Sequence, residues 1–180
     1  MMMPKFTFLT TFFLLFTLIL ADGHDGHDGH DGHGNDGNPS DILAIRQTIN
    51  LYPFIIDSKN YIALNTVFTQ DVQANYSIAL GFLNGLPALE AALSRPAPVQ
   101  TMHTLSTQTI DITGDGTASA MTYVVAWFFG QGAFTGQFFN VFARYDDTLV
   151  KVHDHQWLIN TRNVVFLAPF IGNLSIIPTS

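Results

Sequence analysis

The sequence predicts an α+β domain, helices first and a long antiparallel sheet afterwards, and three observations carry that reading. An apolar stripe at helical spacing opens the folded region, strand-like segments rich in Thr, Val, Phe and Tyr fill its second half, and tight Gly- and Asp-containing turns join them. With 180 residues, 47% of them hydrophobic, the chain suffices for one domain with a real core and is short for two.

Ahead of the domain, Lys5 precedes an apolar run from Phe6 to Leu20, too short to span a bilayer comfortably and ending in Ile19-Leu20-Ala21. That pattern reads as a signal peptide over 1–21, cleaved after Ala21, which implies a secreted, extracellular protein with no membrane attachment after cleavage. Residues 22–38 turn to Asp-Gly-His repeats with no apolar residue. Such a stretch buries too little surface to offset its ordering entropy and reads as a disordered tail. Cleavage would leave Asp22-Gly23-His24 at the terminus, where the amine, two backbone nitrogens and the His24 imidazole form a square-planar site for Cu(II) or Ni(II). His27, His30 and His33 add imidazoles that can take zinc or simply solvate the tail.

The folded domain is expected over 39–170, with a short C-terminal tail over 171–180. Ser40 is placed to cap the first helix and Asp41 to complement its positive end. Ile42, Ile45, Ile49, Tyr52 and Ile56 recur at spacings of three and four, one buried helical face, while Pro53 predicts a kink or break. A second short helix is expected near 61–68 and a strand over 71–77, where alternation turns Asn75 outward. A third helix over 86–93 stops at Arg95-Pro96-Ala97-Pro98. Four strands follow, near 101–112, 117–129, 134–146 and 156–167. They join at Gly114-Asp115-Gly116, at Gly130-Gln131-Gly132, and at a loop containing Asp146-Asp147 and His153-Asp154-His155.

Composition excludes some partners. A formal net charge of −7 gives no footprint for nucleic acid. The chain has no Cys, so packing rather than disulfides must hold it together on a secretory route. Asn75-Tyr76-Ser77 and Asn173-Leu174-Ser175 are acceptor sequons, meaningful in a eukaryotic secretory host. Nucleotide, Walker, HExxH and serine-nucleophile motifs are absent from the sequence, so no cofactor is expected for the domain itself.

Several segments, in order, carry a family resemblance: Ile56-Asp57-Ser58-Lys59-Asn60-Tyr61, Phe68-Thr69-Gln70-Asp71-Val72, Thr101-Met102-His103, Gly114-Asp115-Gly116-Thr117-Ala118, and Gln156-Trp157-Leu158-Ile159 followed by Arg162. Over roughly Asp41 to Phe166 the chain resembles the SnoaL-like division of the NTF2-like superfamily. The resemblance implies a cone-shaped fold, a curved antiparallel sheet closed by three N-terminal helices. That superfamily includes dehydratases, isomerases, cyclases and non-catalytic binding modules, and fold alone does not choose among them. The closest enzyme pattern is that of the scytalone dehydratases, at Asp57, Tyr76 and His103 and, more loosely, Asn140. There the matching Asp and His belong to an acid/base network and the Tyr positions a water on the substrate carbonyl. Two positions depart from it: the tyrosine expected before the aspartate is Ile56, and a late histidine is replaced within Trp127-Phe128-Phe129.

The residues themselves allow two readings of Asp57 and His103, a general acid/base pair in which the carboxylate orients the imidazole, or a structural hydrogen bond. Asn140 could offer its amide to a ligand oxygen or be a satisfied core amide. Arg144 and Arg162 could bind an anionic substrate or pair with acids such as Asp57 or Asp111, and structural pairing is the preferred reading. Tyr76, Tyr123, Trp127, Phe128, Phe138 and Phe142 could line a pocket for a small apolar or aromatic molecule. His153 and His155, flanking Asp154, could bind a metal, but in an exposed loop they read rather as solvated. The resulting expectation is a cofactor-independent lyase, isomerase or cyclase. Its rival is a non-catalytic ligand-binding or self-associating protein, a homodimer through an uncovered sheet face.

Overall fold

Asn38 opens the first helix, its side-chain oxygen accepting the Ser40 N–H at 3.1 Å. The cap is Asn38 and not Ser40, because Pro39 occupies the first helical position, where its missing N–H and fixed φ cost nothing. In this computed structural model, residues 38–153 and 156–177 are described. His24, His27, His30 and His33, the cleavage site and His155 lie outside them.

Helix α1 spans Pro39–Asp57 and carries the expected stripe, with Ile45, Ile49, Tyr52 and Ile56 buried. Each such aliphatic side chain contributes about 1.5–3 kcal/mol on burial. The helix does not break at Pro53, which lies buried inside it. Packing on both sides of the proline holds the turn that lacks a backbone bond. The second helix is a 3₁₀ helix, Tyr61–Thr66, because strand β1 starts early, spanning Phe68–Asn75. A one-turn helix α2, Ser77–Leu80, and a short strand β2, Phe82–Asn84, form a hairpin on β1 that periodicity did not reveal. Helix α3 spans Leu86–Leu93, as expected.

The sheet follows as β3 (Val99–Gly114), β4 (Thr117–Gly130), β5 (Phe138–His153) and β6 (Gln156–Phe166). Its order is β2-β1-β6-β5-β4-β3, antiparallel except where β1 runs parallel to β6. It is a curved, unclosed seven-stranded sheet, with α1 lying across β3 and β6 and β3 forming one edge. Asp146 and Asp147 are not in a loop: β5 continues through them to His153.

The C-terminal tail expected over 171–180 is packed through residue 177. Strand β7, Ile171–Gly172, pairs with β5 at Phe139 and Asn140, and Ile176 is fully buried beside Val99 and Phe139. Gly172 has φ +108 and its backbone lies directly against Phe138 and Phe139, where no Cβ fits.

Among the described residues no helix is long and apolar enough to cross a membrane.

Candidate active site

Asp57 is the last residue of α1, where the negative end of the helix disfavours a carboxylate. Three donors from β3 reverse that. Thr101 Oγ1 and the His103 backbone N–H each donate to the carboxylate at 2.8 Å, and His103 Nδ1 lies 2.7 Å from Oδ1. β3 is an edge strand, so the His103 N–H is an orphan of the sheet that the carboxylate satisfies. Burial alone would raise the Asp57 carboxyl. The hydrogen bonds from the His103 ring and backbone, the imidazole charge and the Thr101 hydroxyl outweigh it and hold the group below the ordinary carboxylate value. With Asp57 ionised, Nδ1 carries the proton and donates, leaving Nε2 with the basic lone pair.

His103 opens onto a cavity of about 1080 Å³ between the helices and the concave face of the sheet. Tyr52 and Ile56 of α1, Val124, Ala126 and Phe128 of β4, Phe139, Val141, Ala143 and Tyr145 of β5, and Phe170, Leu174 and Ile177 of the C-terminal segment line it. Their apolar character suits a small hydrophobic molecule.

Tyr76 joins this wall, its hydroxyl 2.9 Å from that of Tyr52. Tyr52 occupies the turn before Ile56 on the same helix face. It therefore brings a phenol to the same wall of the cavity as Ile56. Burial raises both phenols, Tyr52 strongly, while the nearby Arg162 charge opposes the shift. Both are therefore protonated at neutral pH, and in the bond between them one hydroxyl donates and the other accepts, leaving one O–H of the pair free. The Tyr52 and His103 rings stand 6.2 Å apart, centroid to centroid, so one small molecule can meet both.

Behind the pair, Arg162 is wholly buried and donates through Nε and Nη2 to Asp147, both at 2.8 Å. Its guanidinium lies 4.4 Å from the Tyr52 ring centroid and 4.2 Å from that of Tyr145. Arg162 thus pairs with Asp147, and Arg144 with Asp146; neither meets Asp57 or Asp111. The pairing follows from register, since Asp147 and Arg162 are direct cross-strand neighbours. Reading Asp146-Asp147 as a turn concealed it.

Five expected pocket residues lie elsewhere. Tyr123 and Trp127 alternate with the cavity-lining Val124, Ala126 and Phe128, and Phe138, Asn140 and Phe142 alternate with Phe139, Val141 and Ala143. All five therefore face the other side of the sheet. There Trp127 stacks on Phe129 at 6.0 Å and tilts against Phe138 at 5.7 Å. Asn140 does not line the cavity: it is buried opposite Trp127, and its Oδ1 has no protein partner among the described residues.

Asn75 is half-buried, its amide donating to Asn163 Oδ1 at 2.9 Å. Asn173, also half-buried, accepts the Ser175 N–H at 3.0 Å and donates to Gln137. His153 is exposed, and no group of three or more metal-ligating side chains occurs among the described residues.

No curated protein sequence matches the chain. Solved structures do. A Novosphingobium aromaticivorans protein assigned as scytalone dehydratase matches with TM-score 0.64 and 22% identity, over 73% of this chain and 87% of that one. A second protein of that organism, assigned as an aromatic ring hydroxylase, matches with TM-score 0.69 and 22% identity, over 78% and 99%. A hexachlorocyclohexane dehydrochlorinase matches with TM-score 0.60 and 18% identity, over 78% and 96%. At these identities the likeness is one of fold, the NTF2-like cone. The SnoaL-like domain model, however, matches residues 39–163, and with the cone and its Asp–His and Tyr–Tyr pairs already in place, the chain belongs to the SnoaL-like family.

Proposed function

We propose that this protein is an exported, cofactor-independent lyase or isomerase that moves a proton on a small cyclic or aromatic carbonyl compound. One observation carries the reading: an imidazole locked through Nδ1 to Asp57 shares a cavity with the hydroxyls of Tyr52 and Tyr76. His103 Nε2 takes a proton from the carbon next to the carbonyl, and Asp57 stabilises the imidazolium so formed. The hydroxyl of the Tyr52–Tyr76 pair whose proton is free, polarised by the other, receives the negative charge that develops on the carbonyl oxygen. A preorganised donor of this kind is worth about 2.7–4 kcal/mol in a water-poor site. The imidazolium then returns its proton, to a departing group in an elimination or to another carbon in an isomerisation. Two of the similar structures bear names that denote eliminations, a dehydratase and a dehydrochlorinase, which agrees with the first route.

The test needs no knowledge of the natural substrate. 2-Tetralone, a bicyclic aromatic ketone with acidic protons beside its carbonyl, is incubated with the protein in D₂O and its deuteration followed by NMR. Exchange faster than buffer is expected, slowed about 10²–10⁴-fold by His103→Gln. Equal exchange by wild type and variant, both folded, would overturn the proposal.

A second reading, self-association, is favoured by the outer sheet face, where Met102, Met121, Tyr123, Phe129 and Phe138 are exposed on three adjacent strands. Export further proposes glycans at Asn75 and Asn173, read as mass lost on deglycosylation of the protein from a eukaryotic host. An unmodified Asn75 would mean that its bond to Asn163 forms before the glycan can be added.

A further inference from the structure

The charges around the cavity point to the kind of molecule it takes. The chain holds 14 acidic residues against 7 Lys and Arg, yet the cavity lining contains Lys59 and Arg95 and no Asp or Glu. Both cations are exposed as well as lining, so they stand at the mouth. They come from separate elements, Lys59 just past the end of α1 and Arg95 just past the end of α3.

Among the other described cations, three are committed to carboxylates. Arg144, Lys151 and Arg162 are paired with Asp146, Asp41 and Asp147, and none of the three lines the cavity. Arg46 has no carboxylate partner among the described residues, but it donates to Gln108 and does not line the cavity. Lys59 and Arg95 have no carboxylate within 4.0 Å among the described residues. Lys59 also holds an uncommon backbone conformation, φ 60, in which its N–H and that of Asn60 close the helix onto Ile56 and Ile55. From there its ammonium reaches the Val99 carbonyl at 3.1 Å, a cavity-lining residue, with donors to spare. Two cations without counterions at the mouth of an apolar chamber favour a guest that brings the missing negative charge.

We propose that Lys59 and Arg95 select an anionic substrate, a flat apolar or aromatic molecule bearing a carboxylate, with its ring system inside the cavity and its acid group at the mouth. This rests on the reading of the cavity as a site for a small apolar molecule. The two residues touch the substrate away from the reacting atoms, so they set affinity rather than proton transfer.

The probes are 2-naphthoate and its neutral analogue 2-naphthamide, titrated calorimetrically into the full chain and into Lys59→Gln, Arg95→Gln and the double variant. Naphthoate should bind about tenfold tighter than naphthamide. The double variant should lose that preference while its naphthamide affinity stays within about twofold, and added salt should weaken naphthoate alone. Equal binding of the two probes by wild type would overturn the charge selection and leave the cavity reading standing. So would a preference that survives in the double variant. Binding of neither probe would overturn both.

Discussion

Asp57 shows how a single carboxylate can do two jobs. It satisfies an edge-strand N–H and fixes the tautomer of the ring above it, and both bonds are stronger to the ionised form. Because the folded carboxyl is held below its unfolded value, its contribution to stability is present above the ordinary carboxylate range. It is lost as pH falls through the lower folded value. Melting temperatures measured from about pH 7 down to about pH 2 should therefore fall more steeply for wild type than for Asp57→Asn. Parallel profiles would show that the carboxylate is not held in this way. Asp57 and His103 were legible because both stand in short segments with a family resemblance. Tyr52 was not, since in a stripe of isoleucines a tyrosine reads as one more apolar residue. Only the fold shows its hydroxyl meeting that of Tyr76.

At the scale of elements, what is local was readable and what depends on a distant partner was not. Helix α3 and the extents of β4 and β6 follow from propensity and turn chemistry, and they lie within a few residues of expectation. Strand β5 outran its expected end because Asp146-Asp147 is a strong turn signal in isolation. Here Arg162, fifteen positions on, neutralises Asp147 inside the core. Pro53 similarly reads as a break and is overridden by burial on either side. The C-terminal segment is the clearest case. Nothing in Ile171-Gly172-Asn173 predicts a strand, yet β7 extends the sheet where β6 ends and brings Phe170, Leu174 and Ile177 to the cavity. Gly172→Ala should detach that strand: the positive φ and the contact with Phe138 leave no room for a methyl group. A loss of about 1–3 kcal/mol is expected in denaturant melts, with faster amide exchange at Asn173, whose N–H donates to the Phe138 carbonyl. Unchanged stability would mean that β7 is dispensable to the fold.

For the molecule as a whole, the hard question was which face of the sheet is inside. Strand parity grouped Phe138, Asn140 and Phe142 correctly, but parity says which residues share a face and not which face the helices cover. Helix α1 covers the other one, and this leaves Phe129 and Phe138 turned to solvent together. If that face pairs with a second copy, light scattering should give twice the monomer mass and Phe129→Lys the monomer. A monomeric wild type would remove self-association from the account. The cavity on the covered side unites an acid/base pair from α1 and β3 with hydroxyls from α1 and the segment after β1, and proton transfer follows only if these act as one site. The most direct measurement is the rate of 2-tetralone deuteration by wild type, His103→Gln, Asp57→Asn and the double variant, each normalised to folded protein. The two single changes should each cost about 10²–10⁴-fold, and the double variant little more than either alone, as expected when two groups serve one step. Multiplicative losses, or wild-type rates in any of the variants, would contradict the account.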